Sequence, residues 1–391
     1  MIYVHFVPIC PLKFAYVRIF SYLRPPSPEG PLRKYGRVLR DMCKHSAFLP
    51  SLPAFLLNES IGHSYASINA LYSHSSDKIL FYLAKIHPNV CTYEIFVVPL
   101  PRIYFNFTLM QTIRLNNGIE MPSLGYGLFK VPPQEAERCT REALEVGYRL
   151  IDTAQAYGNE QGVGDAIRRS GIPREEVFIV TKIWITNAGE EKAARSIEHS
   201  LSKLQTDYVD LLLIHQAYGD VFGSWRAMEK AYAQGKTRAI GVSNFQACRF
   251  YDFASIVDVK PAVNQLQCCV LSQQRTILPE MERFDTRMMA WGPLGQGSDD
   301  LLKSPVLDAI GAQYGKTPAQ VALRWLIERG IVAIPKSMHK ERMATNFDIF
   351  DFSLTEADMK AIEPLNQKDT GSRDFADPNY LRRILGMFDQ K

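Results

Sequence analysis

Residues 147–160 read GYRLIDTAQAYGNE. An apolar run about the length of a short strand ends on Asp152, and Tyr157 follows on what reads as a loop. A carboxylate at the end of a buried segment is costly to desolvate unless a cation meets it or chemistry uses it. If its partner comes from elsewhere in the chain, that partner is expected at the end of a similar run. Such runs recur. VFIVTKI (177–183), YVDLLLIH (208–215), TRAIGVS (237–243), AVNQLQ (262–267), RMMAWGP (287–293) and IVAIPKS (331–337) are short, apolar and without strict alternation. That texture suits strands buried on both faces of a parallel sheet.

Amphipathic stretches separate the runs. PQEAERCTREALEVG (133–147), EEKAARSIEHSLSKLQ (190–205), SWRAMEKAYAQGK (224–236) and TPAQVALRWLIERG (317–330) read as helices. The last has Pro318 in its first turn and Gly330 just past its end, the usual punctuation of a helix. With Leu124–Gly127 as the first strand, eight βα units follow Met110, which predicts an α/β fold of the (β/α)8 TIM-barrel type. A doubly wound sheet is the rival, but no G-x-G-x-x-G follows the first strand.

In such a barrel the C-terminal ends of the strands face one site. They carry Asp152, Lys182 and His215, with Tyr157 just beyond Asp152. Each residue taken singly reads more readily as a structural ion pair or a packed ring. Four on successive strand ends point to chemistry. Asp152 and Lys182 can neutralise each other, and a phenol beside a lysine ammonium surrenders its proton more readily. Tyr157 is thus a candidate general acid, and His215 a candidate to orient a substrate carbonyl.

Bulk properties narrow the rest. The 391 residues are 46% hydrophobic and 22% charged, ample for a core. The formal charge of +4 is unevenly spread: 11 Lys and Arg against 5 acidic residues up to Leu109, then 34 against 36 from Met110. The barrel portion therefore shows no nucleic-acid footprint. Residues 1–109 show no lasting period. They read as a poorly structured N-terminal extension: an over-extended start, a targeting segment or a real accessory region. Pro8, Pro11, Lys13 and Arg18 interrupt its most apolar stretch, so no membrane span is expected. Seven cysteines without CxxC spacing suggest free thiols in a reducing, cytoplasmic setting, and no metal site.

The segments IDTAQAYGNEQGVGDAI, VFIVTKIW, YVDLLLIH, IGVSNF and IPKSMHKERMATN together carry a resemblance to the aldo-keto reductases. The chain looks most similar to compact microbial members of the 2,5-diketogluconate reductase-like kind. The resemblance covers residues 110–391 and maps the family's catalytic tetrad onto Asp152, Tyr157, Lys182 and His215. It implies an NADPH-dependent, metal-free reductase of small-molecule aldehydes and ketones, acting as a monomer. Ser243, Asn244 and Gln265 match groups that bond the nicotinamide carboxamide, with Asp152 also bordering the cofactor. Trp291 stands where the family stacks a tyrosine on the nicotinamide ring, and Leu294 follows along the pyrophosphate. Lys336, Ser337 and Arg342 match a clamp on the adenosine 2′-phosphate, and Asn346 an adenine contact. Trp184, His215 and Gln216 are placed at the substrate.

The sequence also departs from the family pattern. HQA replaces the common HWP, so Gln216 stands for a pocket tryptophan, and the short loop that follows suggests a more open pocket. Gln267–Val270 replaces E-x-HP, and Thr345 replaces a glutamate near adenine. The segment GSRDFADPNYLRRILGMF (371–388) matches the tail beside the family's pocket. Two rival functions use the same scaffold: a cofactor-binding regulatory subunit, and a Schiff-base lyase acting through Lys182.

Overall fold

The computed structural model describes residues 111–369 and 377–386, together with the backbone of five earlier strands. The chain divides into two compact units, residues 1–106 and 107–391. In the first, β1 (Tyr3–Ile9), β2 (Phe14–Phe20), β3 (Tyr65–Ser73), β4 (Lys78–Ile86) and β5 (Thr92–Val98) form an antiparallel sheet ordered β1-β2-β5-β4-β3. Most of residues 1–109, and with them the reading as an extension, lie outside the described residues, as do residues 370–376 of the tail.

The second unit opens with a hairpin, β6 (Thr112–Arg114) and β7 (Glu120–Pro122). Eight parallel strands follow in sequential order: β8 (Tyr126–Gly127), β9 (Leu150–Asp152), β10 (Phe178–Ile183), β11 (Leu211–Ile214), β12 (Ile240–Ser243), β13 (Val263–Gln267), β14 (Arg287–Trp291) and β15 (Val332–Ile334). The first and last meet through the Gly125 amide on the Ala333 carbonyl (2.8 Å), the Ala333 amide on Ser123 (2.9 Å) and the Gly127 amide on Pro335 (3.0 Å). The expected (β/α)8 barrel is the fold. β8 is shorter than the expected Leu124–Gly127, because Leu124 joins β15 only through an isolated bridge.

The alternation of side chains along a strand explains where the polar residues end up. Phe178 and Val180 fill the barrel interior while Ile179 and Ile183 pack outward against the helices. Lys182, two positions past Val180, continues the inward set. On β11, Leu211 and Leu213 point in and Leu212 and Ile214 out, so His215 follows the inward parity. Leu150 and Asp152, Val263 and Gln265, and Met289 and Trp291 repeat the pattern. Each inward set is apolar at the N-terminal end of its strand and polar or aromatic at the C-terminal end. At the apolar end Leu115 and Met121 of the hairpin plug the interior. Asn116 and Asn117 pin the hairpin to the carbonyls of Pro261 (3.2 Å) and Arg238 (2.9 Å).

The helices start and stop for local reasons. Thr317 and Gln320 form a capping box at the start of helix Pro318–Glu328, and Gly330 takes φ 67° beyond its end. Helix Val221–Ala233 begins before the expected Ser224, because Asp220 accepts from the Gly223 amide and caps it. No helix among the described residues is long and apolar enough to cross a membrane.

Candidate active site

At the polar end of the barrel Lys182 is fully buried and Asp152 is 2% exposed. Lys182 Nζ donates to Asp152 Oδ1 at 2.7 Å and to the Thr153 carbonyl at 2.9 Å. The other carboxylate oxygen of Asp152 accepts from Gln265 Nε2 at 2.7 Å. Both members of the pair are drawn toward neutrality by burial, which pushes the Asp152 carboxyl up and the Lys182 amine down. Their mutual attraction opposes this for each. The amine thus sits in a site that disfavours charge, with the Asp152 carboxylate bonded to it and Glu160 adding attraction from further off.

Above it stands Tyr157, with Nζ 5.1 Å from the ring centroid. The tyrosine rides on a short 3-10 turn, Gln155–Tyr157, closed by Gly158 at φ 68°. Gln155 fixes that turn from below. Its Oε1 accepts from the Trp184 amide and from Asn187 Nδ2, both at 2.9 Å, and its Nε2 donates to the Ser196 carbonyl (3.2 Å) and Ser200 Oγ (3.1 Å). The His215 ring meets Tyr157 edge-on at 5.5 Å, and Trp184 meets His215 at 4.9 Å. Phe129, itself 43% exposed, lies 5.3 Å from Tyr157 on the other flank. The three strand-end residues and Tyr157 thus come together.

A second group adjoins them. Ser243 Oγ donates to the Gln265 carbonyl at 3.0 Å. Asn244, at φ 64°, donates to the His215 carbonyl and accepts from Trp291 Nε1, both at 3.0 Å. Asparagine tolerates this left-handed backbone better than most residues. The Trp291 ring is half-buried and tied to Asn244, and Leu294 is half-buried in the loop that follows.

Further out, Lys336 and Arg342 are exposed, whereas Ser337 and Asn346 are each 7% exposed. Helix Lys340–Phe347 starts between the two cations. Among the described residues neither Lys336 nor Arg342 has an acidic partner, although neighbouring Lys340 pairs with Glu145 at 2.6 Å.

The departures from the family pattern also have their places. Gln216 is buried, and its Oε1 has no hydrogen-bond partner among the described residues. Cys268 to Ser272 forms a tight buried turn, with the Cys269 and Ser272 backbones bonded to each other at 3.0 and 2.9 Å. Burial pushes the Cys268 thiol up to about 12, so it stays an inert thiol. Thr345 Oγ1 bonds back to the Glu341 carbonyl at 2.9 Å, within its own helix. Tyr380 and Ile384 of helix Pro378–Gly386, within the segment matched to the tail beside the pocket, pack against Trp184. Sequence reasoning missed Gln155 and Phe129. The polar Gln155 inside an otherwise small-residue turn was the only available signal.

A parallel barrel with its ionisable side chains at the C-terminal strand ends is the architecture of a TIM-barrel enzyme. The chain belongs to the Aldo/keto reductase family, whose model matches residues 123–367. It is 44% identical over 262 residues to a glyoxal reductase of Bacillus subtilis, covering 66% of this chain and 94% of that one. It is 43% identical over 258 residues to a 9,11-endoperoxide prostaglandin H2 reductase of Trypanosoma cruzi, covering 65% and 91%. Among solved structures, an aldo-keto reductase from a Medee basin deep-sea metagenome matches with TM-score 0.66 and 41% identity, over 68% of this chain and 98% of that one.

Proposed function

We propose that the protein reduces small-molecule aldehydes and ketones to alcohols with NADPH, in the cytoplasm and as a monomer. The observation that carries this reading is the buried Lys182–Asp152 pair directly beneath Tyr157, with the His215 ring against its edge. Bound here, NADPH supplies the hydride that the carbonyl carbon accepts. Tyr157 gives its hydroxyl proton to the carbonyl oxygen, and the Lys182 ammonium stabilises the phenolate left behind. Asp152 keeps Lys182 charged and in place. His215 orients the substrate carbonyl. Trp184 and Gln216 flank the substrate in this reading.

The cofactor residues fit. Trp291 offers an aromatic face whose indole is held by Asn244, beside Ser243 and Gln265. Lys336, Ser337 and Arg342 supply a hydroxyl and two cations that no carboxylate among the described residues engages. Leu294 and Asn346 border the pyrophosphate and adenine. Buried free thiols at Cys139, Cys268 and Cys269 accord with a reducing compartment. Loss of NADPH absorbance with a panel of aldehydes tests the proposal. NADPH binding without oxidation across the panel would favour a regulatory subunit, and borohydride trapping of substrate on Lys182 a lyase.

Arg342→Ala is expected to weaken NADPH binding by about tenfold or more, since a hydrogen bond to a charged group contributes roughly 1.5–3 kcal/mol. NADH lacks the 2′-phosphate and should bind nearly unchanged. Equal losses for both cofactors would mean that Arg342 only holds its helix.

A chain beginning at Met110 is expected to fold and to reduce methylglyoxal like the full-length protein. The hairpin β6–β7 already plugs the interior, and the two similar reductases align with about two thirds of this chain while being covered almost entirely. Insolubility or inactivity of the shortened chain beside an active full-length protein would refute this.

A further inference from the structure

We infer that Tyr126 and Tyr148 are positioning residues for the cofactor phosphate: two buried phenols that set the backbone carrying Ser337 and Arg342. The inference rests on the reading of that segment as the phosphate clamp. Tyr126 on β8 donates its hydroxyl to the Ser337 carbonyl at 2.5 Å. Tyr148, just ahead of β9, donates to the carbonyl of Met343, the neighbour of Arg342, at 3.1 Å. The two bonds therefore bracket the segment between Ser337 and Arg342.

Both phenols are 1% exposed. Burial drives their ionisation far above the ordinary range, so they remain protonated donors at any working pH. Their rings pack edge-to-face at 5.9 Å, and Tyr148 meets Phe347 of the clamp helix at 4.9 Å, which fixes where each hydroxyl points. Phenylalanine would fill the same volume. The hydroxyls are what packing alone does not explain. A trans peptide sets its carbonyl and the next amide on opposite sides, so drawing the Ser337 carbonyl inward turns the Met338 amide outward. On the outer flank, among the described residues, the segment is held by exposed or half-exposed groups, Arg138 reaching the Met338 carbonyl and Lys340 pairing with Glu145. Solvated contacts of that kind fix position weakly. The clamp is thus aligned from the barrel side.

Tyr126→Phe and Tyr148→Phe, in the full-length protein, test this by isothermal titration with adenosine 2′,5′-bisphosphate and adenosine 5′-monophosphate. Each variant should bind the bisphosphate about fivefold or more weakly, the cost of one lost buried hydrogen bond. Binding of the monophosphate should change by less than about twofold. Equal losses for both ligands, or an unchanged bisphosphate affinity, would overturn the inference. If one variant does not fold, the other gives the same reading alone. Arg342→Ala separates the two levels. Weaker bisphosphate binding there, beside unaffected tyrosine variants, refutes only the positioning role. An Arg342→Ala protein that binds the bisphosphate normally refutes the clamp itself.

Discussion

Replacing Tyr157 by phenylalanine is expected to lower turnover by about a hundredfold or more, the usual contribution of a general acid. NADPH affinity should stay within a few-fold. In the proposed role of general acid, the phenol's proton is needed only as negative charge develops on the carbonyl oxygen, so its loss falls on the rate constant and spares ground-state binding. The ring would keep its packing against Phe129 and His215. Stopped-flow single turnovers, with NADPH fluorescence titrations alongside, separate the two effects. A variant keeping more than about a tenth of wild-type turnover would remove Tyr157 from the role of acid.

Lys182→Met is expected to lose turnover as severely and stability as well. The substitution leaves Asp152 buried with Gln265 as its remaining side-chain donor. Removing one partner of a buried ion pair costs about 3–5 kcal/mol. The loss should depend on pH in a defined direction. Burial already raises the Asp152 carboxyl above its ordinary value, and without the ammonium nothing comparable lowers it. The folded variant then holds a proton that the unfolded chain has released, so its stability falls as pH rises through the window above the usual carboxylate range. Adding Asp152→Asn should remove that pH dependence and recover most of the stability, but none of the turnover. Denaturation midpoints across pH decide it. A double variant that regained activity would show that the pair is architectural.

How much of this was legible beforehand follows from the physics of each residue. Asp152, Lys182 and His215 stood out because polar groups close otherwise apolar runs, and inward parity then forces them to one end of the barrel. Their meeting needed no distance information once the barrel was recognised. Gln265 was harder. The resemblance assigns it to the nicotinamide, and nothing in the sequence signals that its Nε2 also donates to Asp152, with Met289 Sδ as a second neighbour at 3.2 Å. Gln155 was invisible, because its four bonds join a loop, a neighbouring strand end and a helix far apart in sequence. Asn244 bridging His215 and Trp291 is of the same kind. Period and spacing reveal which residues share a face. They do not reveal which loops come to touch.

The seam between Ser123–Gly127 and Ala333–Pro335 bears on how the chain is made. Its partners are remote, as with Tyr126 and Ser337 at 211 positions apart. During synthesis the growing polypeptide must carry two raw sheet edges until β15 has left the ribosome, a long exposure for unpaired backbone. High contact order of this sort makes the closing step slow. The same step draws Ser337 and Arg342 into place, so the proposed phosphate-binding surface is finished last. Affinity for the 2′-phosphate would then report completed closure, and the cofactor would bind few of the half-built forms.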